Sequence, residues 1–167
     1  PNRAPWLLIN LITASIASVV ASRFEGTVSH IVILAFLMSI VAGIGGNSGN
    51  QTMTMVIRAL AVGRVNQKNA RTLLRRELFV TSCVGLGGSL IAGTFAWIFS
   101  GSIKIALVMA AAMVLNMQLG ATLGVLIPMI RDRFNKDPAL GSSVLLTFAT
   151  DSLGFFIFLG LATIFLM

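Results

Sequence analysis

Long apolar runs separated by short charged gaps make up most of the chain. The five runs are close to or above the roughly 20 apolar residues that cross the hydrocarbon core of a bilayer. They are expected at about 6–22, 28–60, 78–99, 105–130 and 142–167. Hydrocarbon offers no partner to backbone N–H and C=O groups, so each run is predicted to be a helix. The pattern predicts an all-α membrane protein whose five transmembrane helices form one domain, 1–167.

The second run is unusual because the string GIGGNSGNQ interrupts it at 43–51. As one straight helix, about 33 residues would be ~50 Å long, against a hydrocarbon core of ~30 Å. Either the helix breaks near the glycines or it projects into the cytoplasm. Backbone carbonyls and amide oxygens at membrane depth are tolerated where they line a cavity or are buried in protein. Gly45, Gly46, Asn47 and Asn50 are therefore predicted to line a pore; the alternative is a kink whose amides bond neighbouring helices.

Basic residues fall almost entirely on one side of the predicted spans. Ten of the twelve lie at the N-terminus, at the end of the second span or in the gaps after the second and fourth spans, and two lie in the other gaps. Loops rich in Lys and Arg stay in the cytoplasm. The N-terminus is therefore predicted to be cytoplasmic and the C-terminus external. The basic stretch 63–77 is either an interfacial amphipathic helix or a docking surface for a cytoplasmic regulatory domain.

Composition excludes several functional classes. Hydrophobic residues make up 56% of the chain and charged residues only 10%, against about 25% charged in soluble domains. The net charge of +7 does not indicate nucleic-acid binding, because there is no Tyr and the charges lie in the gaps. Cys83 is the single cysteine, so no intrachain disulfide forms. We find no nucleophile–base pair, cofactor fingerprint or phosphate loop, so no enzyme is expected. The chain starts at Pro1 rather than Met and is expected to be a piece of something longer.

Asp151 is the one carboxylate inside a predicted span, and that span contains no basic residue to pair with it. A charged side chain at membrane depth costs roughly 2.5–3.5 kcal/mol on insertion scales. Ser143, Thr147 and Asp151 are four residues apart and share one helix face, and Gly154 leaves room beyond them. This stripe of oxygens predicts a pore lining that binds a cation. A protonated, structurally idle acid and a proton relay are the alternatives.

Oxygen ligands without a His/Cys cluster favour Mg²⁺ over Zn²⁺ or copper. Mg²⁺ dehydrates reluctantly and usually keeps several waters while it meets one or two carboxylates. Asp151 would supply one such carboxylate per chain. Asn116 and Gln118 in the fourth span are candidates for the same pathway or for bonds between helices. A passive cation pore, a proton-coupled divalent-cation transporter that uses Asp151 as carrier, and a non-transporting membrane anchor all stay open.

Several motifs resemble those of the MgtE family of magnesium transporters. The string GGNSGNQ at 45–51, followed by RAL at 58–60, is similar to the signature of that family. So are DPA at 137–139, before the fifth span, and the pattern TxxxDSLG at 147–154 within it. The entry to the first span, APWL at 4–7, also resembles the family. The resemblance covers essentially the whole chain.

The resemblance implies a homodimer in the bacterial cytoplasmic membrane, with a central pore lined by the second and fifth helices of each subunit. It implies Mg²⁺ as the transported ion, Asp151 as its main site and the Thr147 backbone carbonyl as a secondary contact through water. It also implies cytoplasmic CBS-type regulatory domains in the full-length protein. The chain departs from the family at Ser143-Val144, where Asn-Pro is common, and at Phe148, where Thr is frequent. Both departures concern the inner mouth of the pore.

Overall fold

The computed structural model describes residues 3–167, with Arg3 described by its backbone alone. Six helices and no strands occur in this range. The helices are α1 (Arg3–Ser22), α2 (Glu25–His30), α3 (Ile33–Ala61), α4 (Ala70–Ser100), α5 (Ile103–Arg133) and α6 (Ser142–Leu166). All except the short α2 are long and apolar enough to cross a membrane. The prediction of an all-α protein with five transmembrane helices is confirmed for the described residues.

Of the two alternatives for 43–51, the structure has the unbroken helix, because α3 runs through the glycines without a break. Its 29 residues span ~44 Å, so α3 tilts within a ~30 Å hydrocarbon core or extends past it. The glycines have a role in helix packing. Gly45 and Gly49 face α5 across a backbone-to-backbone contact, where a side chain would keep the two helices apart.

The stretch 63–77 does not form a separate interfacial helix. A turn follows α3, and α4 begins at Ala70, two turns before the predicted start of the third span. Leu73 and Leu74 of these added turns pack against a small apolar cluster of Val56, Val125 and Met129. Their burial between α3 and α5 explains why this segment continues the transmembrane helix.

Helix α5 is the centre of the bundle and packs against α3, α4 and α6. The main apolar core lies where α5 meets α3, α4 and α6, and it includes Leu37, Met109 and Phe158. Helix α1 packs on α6, whereas α4 packs almost only on α5. The outward faces of α1 and α4 expose large apolar side chains, as a lipid-facing surface requires.

Small residues allow α3 and α5 to touch through their backbones. A Cβ placed on Gly49 would lie 2.8 Å from the Gly120 carbonyl oxygen, and one placed on Gly124 would lie 2.6 Å from the Gly49 carbonyl oxygen. Gly120 is equally tight against the carbonyl of Gly45. Glycines spaced four apart on both helices thus fix the spacing of α3 and α5 in the middle of the bundle.

Candidate cation site

Two antiparallel helices, α3 and α6, carry the predicted site residues. Their relative direction follows from two contacts, because Ser143 meets Asn50 whereas Thr150, later in α6, meets Gly46, earlier in α3. The Ser143 hydroxyl donates to Asn50 Oδ1 over 3.0 Å. A Cβ on Gly46 would lie 3.2 Å from Thr150 Oγ1. Gly46 therefore lets α3 and α6 approach closely at a level one to two helix turns from the Ser143–Asn50 bond.

A polar face lies alongside this contact, formed by two residues of α3 and three of α6. Asn47 and Ser143 are exposed, and Asn50, Thr147 and Asp151 are partly buried. Residues i, i+3 and i+4 share a helix face, so each helix contributes a continuous row of oxygen-bearing side chains. The Ser143–Asn50 bond joins the two rows. The structure thus brings these five predicted residues together on one accessible surface, which we call the polar face.

The Asp151 carboxylate is the only acid of the polar face. Within residues 4–167 it has no hydrogen-bond or ion-pair partner, and the described part of the chain has no group of three or more His, Cys, Asp or Glu side chains. Any ion held at Asp151 by one chain therefore meets a single charged ligand. The remaining ligands available there are neutral oxygens and water, which suits a hydrated Mg²⁺ ion and not a fully dehydrated one.

Three glycines predicted to line the pore lie inside the bundle instead. Gly45, Gly46 and Gly154 are buried within the chain and do not lie on the polar face. Gly45 and Gly154 lie against the Asn116 side chain, and Gly46 lies against Thr150. Their small size serves helix packing, because a methyl group at any of the three would press on a neighbouring helix.

Two polar residues of α3 were not among the predicted site residues, although they extend the polar face. Thr54 is exposed one turn beyond Asn50, and its hydroxyl donates to the Asn50 carbonyl oxygen over 2.8 Å. Gln51 is exposed next to Asn50 in the chain. Their spacing is the signal that could have identified them. Gln51 is four residues after Asn47, and Thr54 is four residues after Asn50, so each shares a helix face with a predicted site residue.

A buried acid on α4 also went unrecognised. Glu77 ends the basic stretch 63–77, but its side chain is only 7% exposed and accepts a 3.4 Å hydrogen bond from Thr52 of α3. The spacing of Glu77, Thr81, Gly85 and Ser89, all buried, shows that the acid lies on the face that α4 turns to the bundle. That four-residue row is visible in the sequence.

Comparison with known proteins gives a consistent result. A family model named MgtE, described as a divalent cation transporter, matches residues 38–161. Over 99% of the chain, its sequence is 33% identical to the magnesium transporter MgtE of Bacillus subtilis. Identity is 32% over 98% of the chain for the protein of the same name from Thermus thermophilus, and 27% over 99% for that from Enterococcus faecalis. The chain spans little more than a third of these relatives, 37% of the first and 36% of the other two.

Proposed function

The chain belongs to the MgtE family of divalent cation transporters, and we propose that it is the ion-conducting part of a magnesium pathway. The observation that carries this proposal is the polar face, an accessible row of amide, hydroxyl and carboxylate oxygens on two helices otherwise built for lipid. Polar and charged side chains are unfavourable against hydrocarbon. They are favourable if the polar face borders a water-filled path.

In this proposal a second copy of the chain covers the polar face. Two Asp151 carboxylates related by a two-fold axis then flank a hydrated Mg²⁺ ion, and the Thr147 carbonyl contributes through water. One carboxylate per subunit supplies enough charge to attract a divalent ion, while the retained waters keep it exchangeable. Asn47, Asn50 and Ser143 line the path toward one end of the bundle.

The distribution of basic residues supports an orientation with that end in the cytoplasm. Gln67, between α3 and α4, donates to the Met129 carbonyl oxygen over 2.9 Å, and Trp6 of α1 lies against Gly141. The N-terminal end of α1, the α3–α4 turn and the α5–α6 loop therefore lie at the same end of the molecule. Ten of the twelve basic residues lie in these three segments or in the helix turns that adjoin them, which matches a cytoplasmic side.

Passive conduction needs no further energy source in a bacterial cytoplasmic membrane. The membrane potential supplies ~2.3 kcal/mol per elementary charge per 100 mV, which is twice as much for a divalent ion. The relatives are nearly three times as long as this chain, which leaves room for cytoplasmic CBS-type domains that sense Mg²⁺ and control the pore.

Uptake of Mg²⁺ into proteoliposomes that contain a Mg²⁺-sensitive dye tests this proposal. Wild-type protein is expected to take up Mg²⁺ at a rate that rises with inside-negative potential, set by a K⁺ gradient and valinomycin. The Asp151→Ala variant is expected to show no uptake above protein-free liposomes. Wild-type rates of uptake in Asp151→Ala would remove the assignment of the site.

Proton-coupled exchange is a second candidate, because the Asp151 carboxylate has no hydrogen-bond partner within residues 4–167 and is free to carry a proton. The two functions differ in what drives uptake. With voltage clamped at zero, a proton-coupled transporter accumulates Mg²⁺ when a pH gradient is imposed and stops when the gradient is dissipated. The conducting pathway that we propose is indifferent to that gradient.

A further inference from the structure

Asn116 is a fully buried amide at the point where α3, α5 and α6 meet. Its side chain is 0% exposed, and its Nδ2 donates to the Val41 carbonyl oxygen of α3 over 2.8 Å. On the α6 side, a Cβ on Gly154 would lie 2.7 Å from Nδ2 and 3.2 Å from Oδ1. The amide is therefore held between Gly45 of α3 and Gly154 of α6, with no space for a side chain at either glycine.

The residues that Asn116 touches are close to the polar face along both helices. Gly154 is one turn beyond Asp151 on α6, and Gly45 lies two residues before Asn47 on α3. The distance between the Asp151 carboxylate and the α3 amides therefore depends on how closely α3 and α6 pack against the Asn116 side chain.

Helix α3 is intrinsically weak at this level. Gly43, Gly45, Gly46 and Gly49 fall within two turns, and glycine has a much lower helix propensity than alanine. The Val41 carbonyl that Asn116 holds lies immediately before this weak stretch. A hydrogen bond from α5 at this point restrains the angle between the part of α3 before Val41 and the glycine-rich part that follows it.

The Asn116 amide is energetically unfavourable at this buried position. Asn116 Oδ1 is buried and has no hydrogen-bond partner within residues 4–167. A buried acceptor without a partner destabilises the fold, whereas an apolar residue of the same size would avoid that penalty. The stability of the fold thus gives little reason for asparagine here, which directs attention to the geometry that the amide imposes.

We propose that Asn116 is a positioning residue for the cation site: its amide sets the spacing and registry of α3 and α6 and so places the polar face around Asp151. Asn116 does not contact the ion, and it acts through the two helices that it separates. The inference rests on the proposed function, because it assigns Asn116 a part in the same pathway.

Gln118 provides a matched control on the same helix. Its Nε2 donates to Ser82 Oγ over 2.6 Å and to the Leu78 carbonyl oxygen over 3.3 Å, both on α4. Its Oε1, like Asn116 Oδ1, is buried without a partner in the described chain. Gln118 therefore has the same chemistry as Asn116 two residues away, but it joins α5 to α4, a helix that carries no residue of the polar face.

The test measures Mg²⁺ uptake against Mg²⁺ concentration in proteoliposomes, together with thermal unfolding, for Asn116→Leu, Asn116→Val and Gln118→Leu. Both Asn116 variants lose the amide donor at nearly constant size. We expect the Mg²⁺ concentration at half-maximal uptake to rise about three- to tenfold in both, the range that corresponds to one net hydrogen bond. The unfolding temperature of Asn116→Leu should stay near that of the wild type. Gln118→Leu should keep the wild-type half-maximal concentration.

Three outcomes would overturn the inference. The first is an unchanged half-maximal concentration in Asn116→Leu. The second is an equal shift in Gln118→Leu, which would indicate general loosening of the bundle. The third is failure of both Asn116 variants to fold while Gln118→Leu folds, which would make the amide purely structural. Asp151→Asn, measured in parallel, separates failure of the inference from failure of the proposed function. If Asp151→Asn abolishes uptake while the Asn116 variants behave as wild type, the inference fails and the proposed function stands. Normal uptake by Asp151→Asn would instead remove the proposed function.

Discussion

Asp151 and Glu77 are both acids on helices that can span a membrane, but their surroundings are opposite. Asp151 is partly buried on the polar face and has no hydrogen-bond partner within residues 4–167. Glu77 is almost completely buried where α3, α4 and α5 meet, and it accepts a hydrogen bond from Thr52. The open region around Asp151 can exchange an ion with water, whereas the closed region around Glu77 can only join helices. Depth in the membrane alone therefore does not identify a transport site; an accessible approach is also needed.

The largest effect on stability is expected from an added methyl group in the closed region. A Cβ on Gly124 would lie 2.6 Å from the Gly49 carbonyl oxygen and 3.0 Å from Thr52 Cβ, so Gly124→Ala must push α3 away from α5. We expect a loss of about 1–3 kcal/mol in the free energy of unfolding, as for other overpacked cores. Denaturant or thermal unfolding in detergent measures this loss.

The matched control in the open region is Gly43→Ala. A Cβ on Gly43 meets nothing within 4 Å, and the residue is exposed on α3. Alanine should therefore leave stability unchanged or raise it by up to about 1 kcal/mol through helix propensity. A loss at Gly43 that matches the loss at Gly124 would show that the two regions are equally packed and would break the comparison.

A smaller effect is expected where the two helices of the open region are tied together. Ser143→Ala removes the 3.0 Å bond to Asn50, which is worth about 0.5–1.5 kcal/mol net. Because this bond holds α3 and α6 together at the inner end of the path, its loss should raise the Mg²⁺ uptake rate by about two- to tenfold. Ser18→Ala on α1 is the control, since that hydroxyl bonds only the Ala14 carbonyl of its own helix. An unchanged rate in Ser143→Ala would show that the bond does not restrict the path.

The smallest effect is expected for Glu77→Gln. Glutamine keeps the size of the side chain and an oxygen that can accept the Thr52 hydrogen bond, which at 3.4 Å is already weak. Mg²⁺ uptake should stay within about twofold of the wild type, and the free energy of unfolding within about 1 kcal/mol. Loss of uptake comparable to that of Asp151→Ala would mean that the closed region takes part in ion passage.

The sequence predicted the five spans because their apolar length is a direct requirement of the bilayer. It also predicted Asn47, Asn50, Ser143, Thr147 and Asp151 as one set, since helical spacing places them on two faces. It did not place Gly45, Gly46 and Gly154 inside the bundle, because a glycine that lines a cavity and a glycine that admits a neighbouring helix look the same in one dimension. Only the position of Asn116 and Thr150 opposite these glycines distinguishes the two roles.

Glu77 shows the converse failure. It directly follows Arg75 and Arg76 in the chain, yet both arginines are exposed whereas Glu77 is buried. Which face of a helix turns inward depends on partners distant in the chain, here Thr52 of α3. The position of α5 between α3 and α4, which closes this region, cannot be inferred from the apolar pattern of any one helix.

Mn²⁺ binding followed by electron paramagnetic resonance tests the central claim most directly, because Mn²⁺ accepts the same oxygen ligands as Mg²⁺. The protein should bind Mn²⁺ that Mg²⁺ displaces, and electron–nuclear double resonance should show water protons still coordinated to the bound ion. Asp151→Asn should lose this binding, whereas Glu77→Gln should retain it at wild-type affinity. Equal Mn²⁺ binding by Asp151→Asn and the wild type, or a bound ion without coordinated water, would contradict the account.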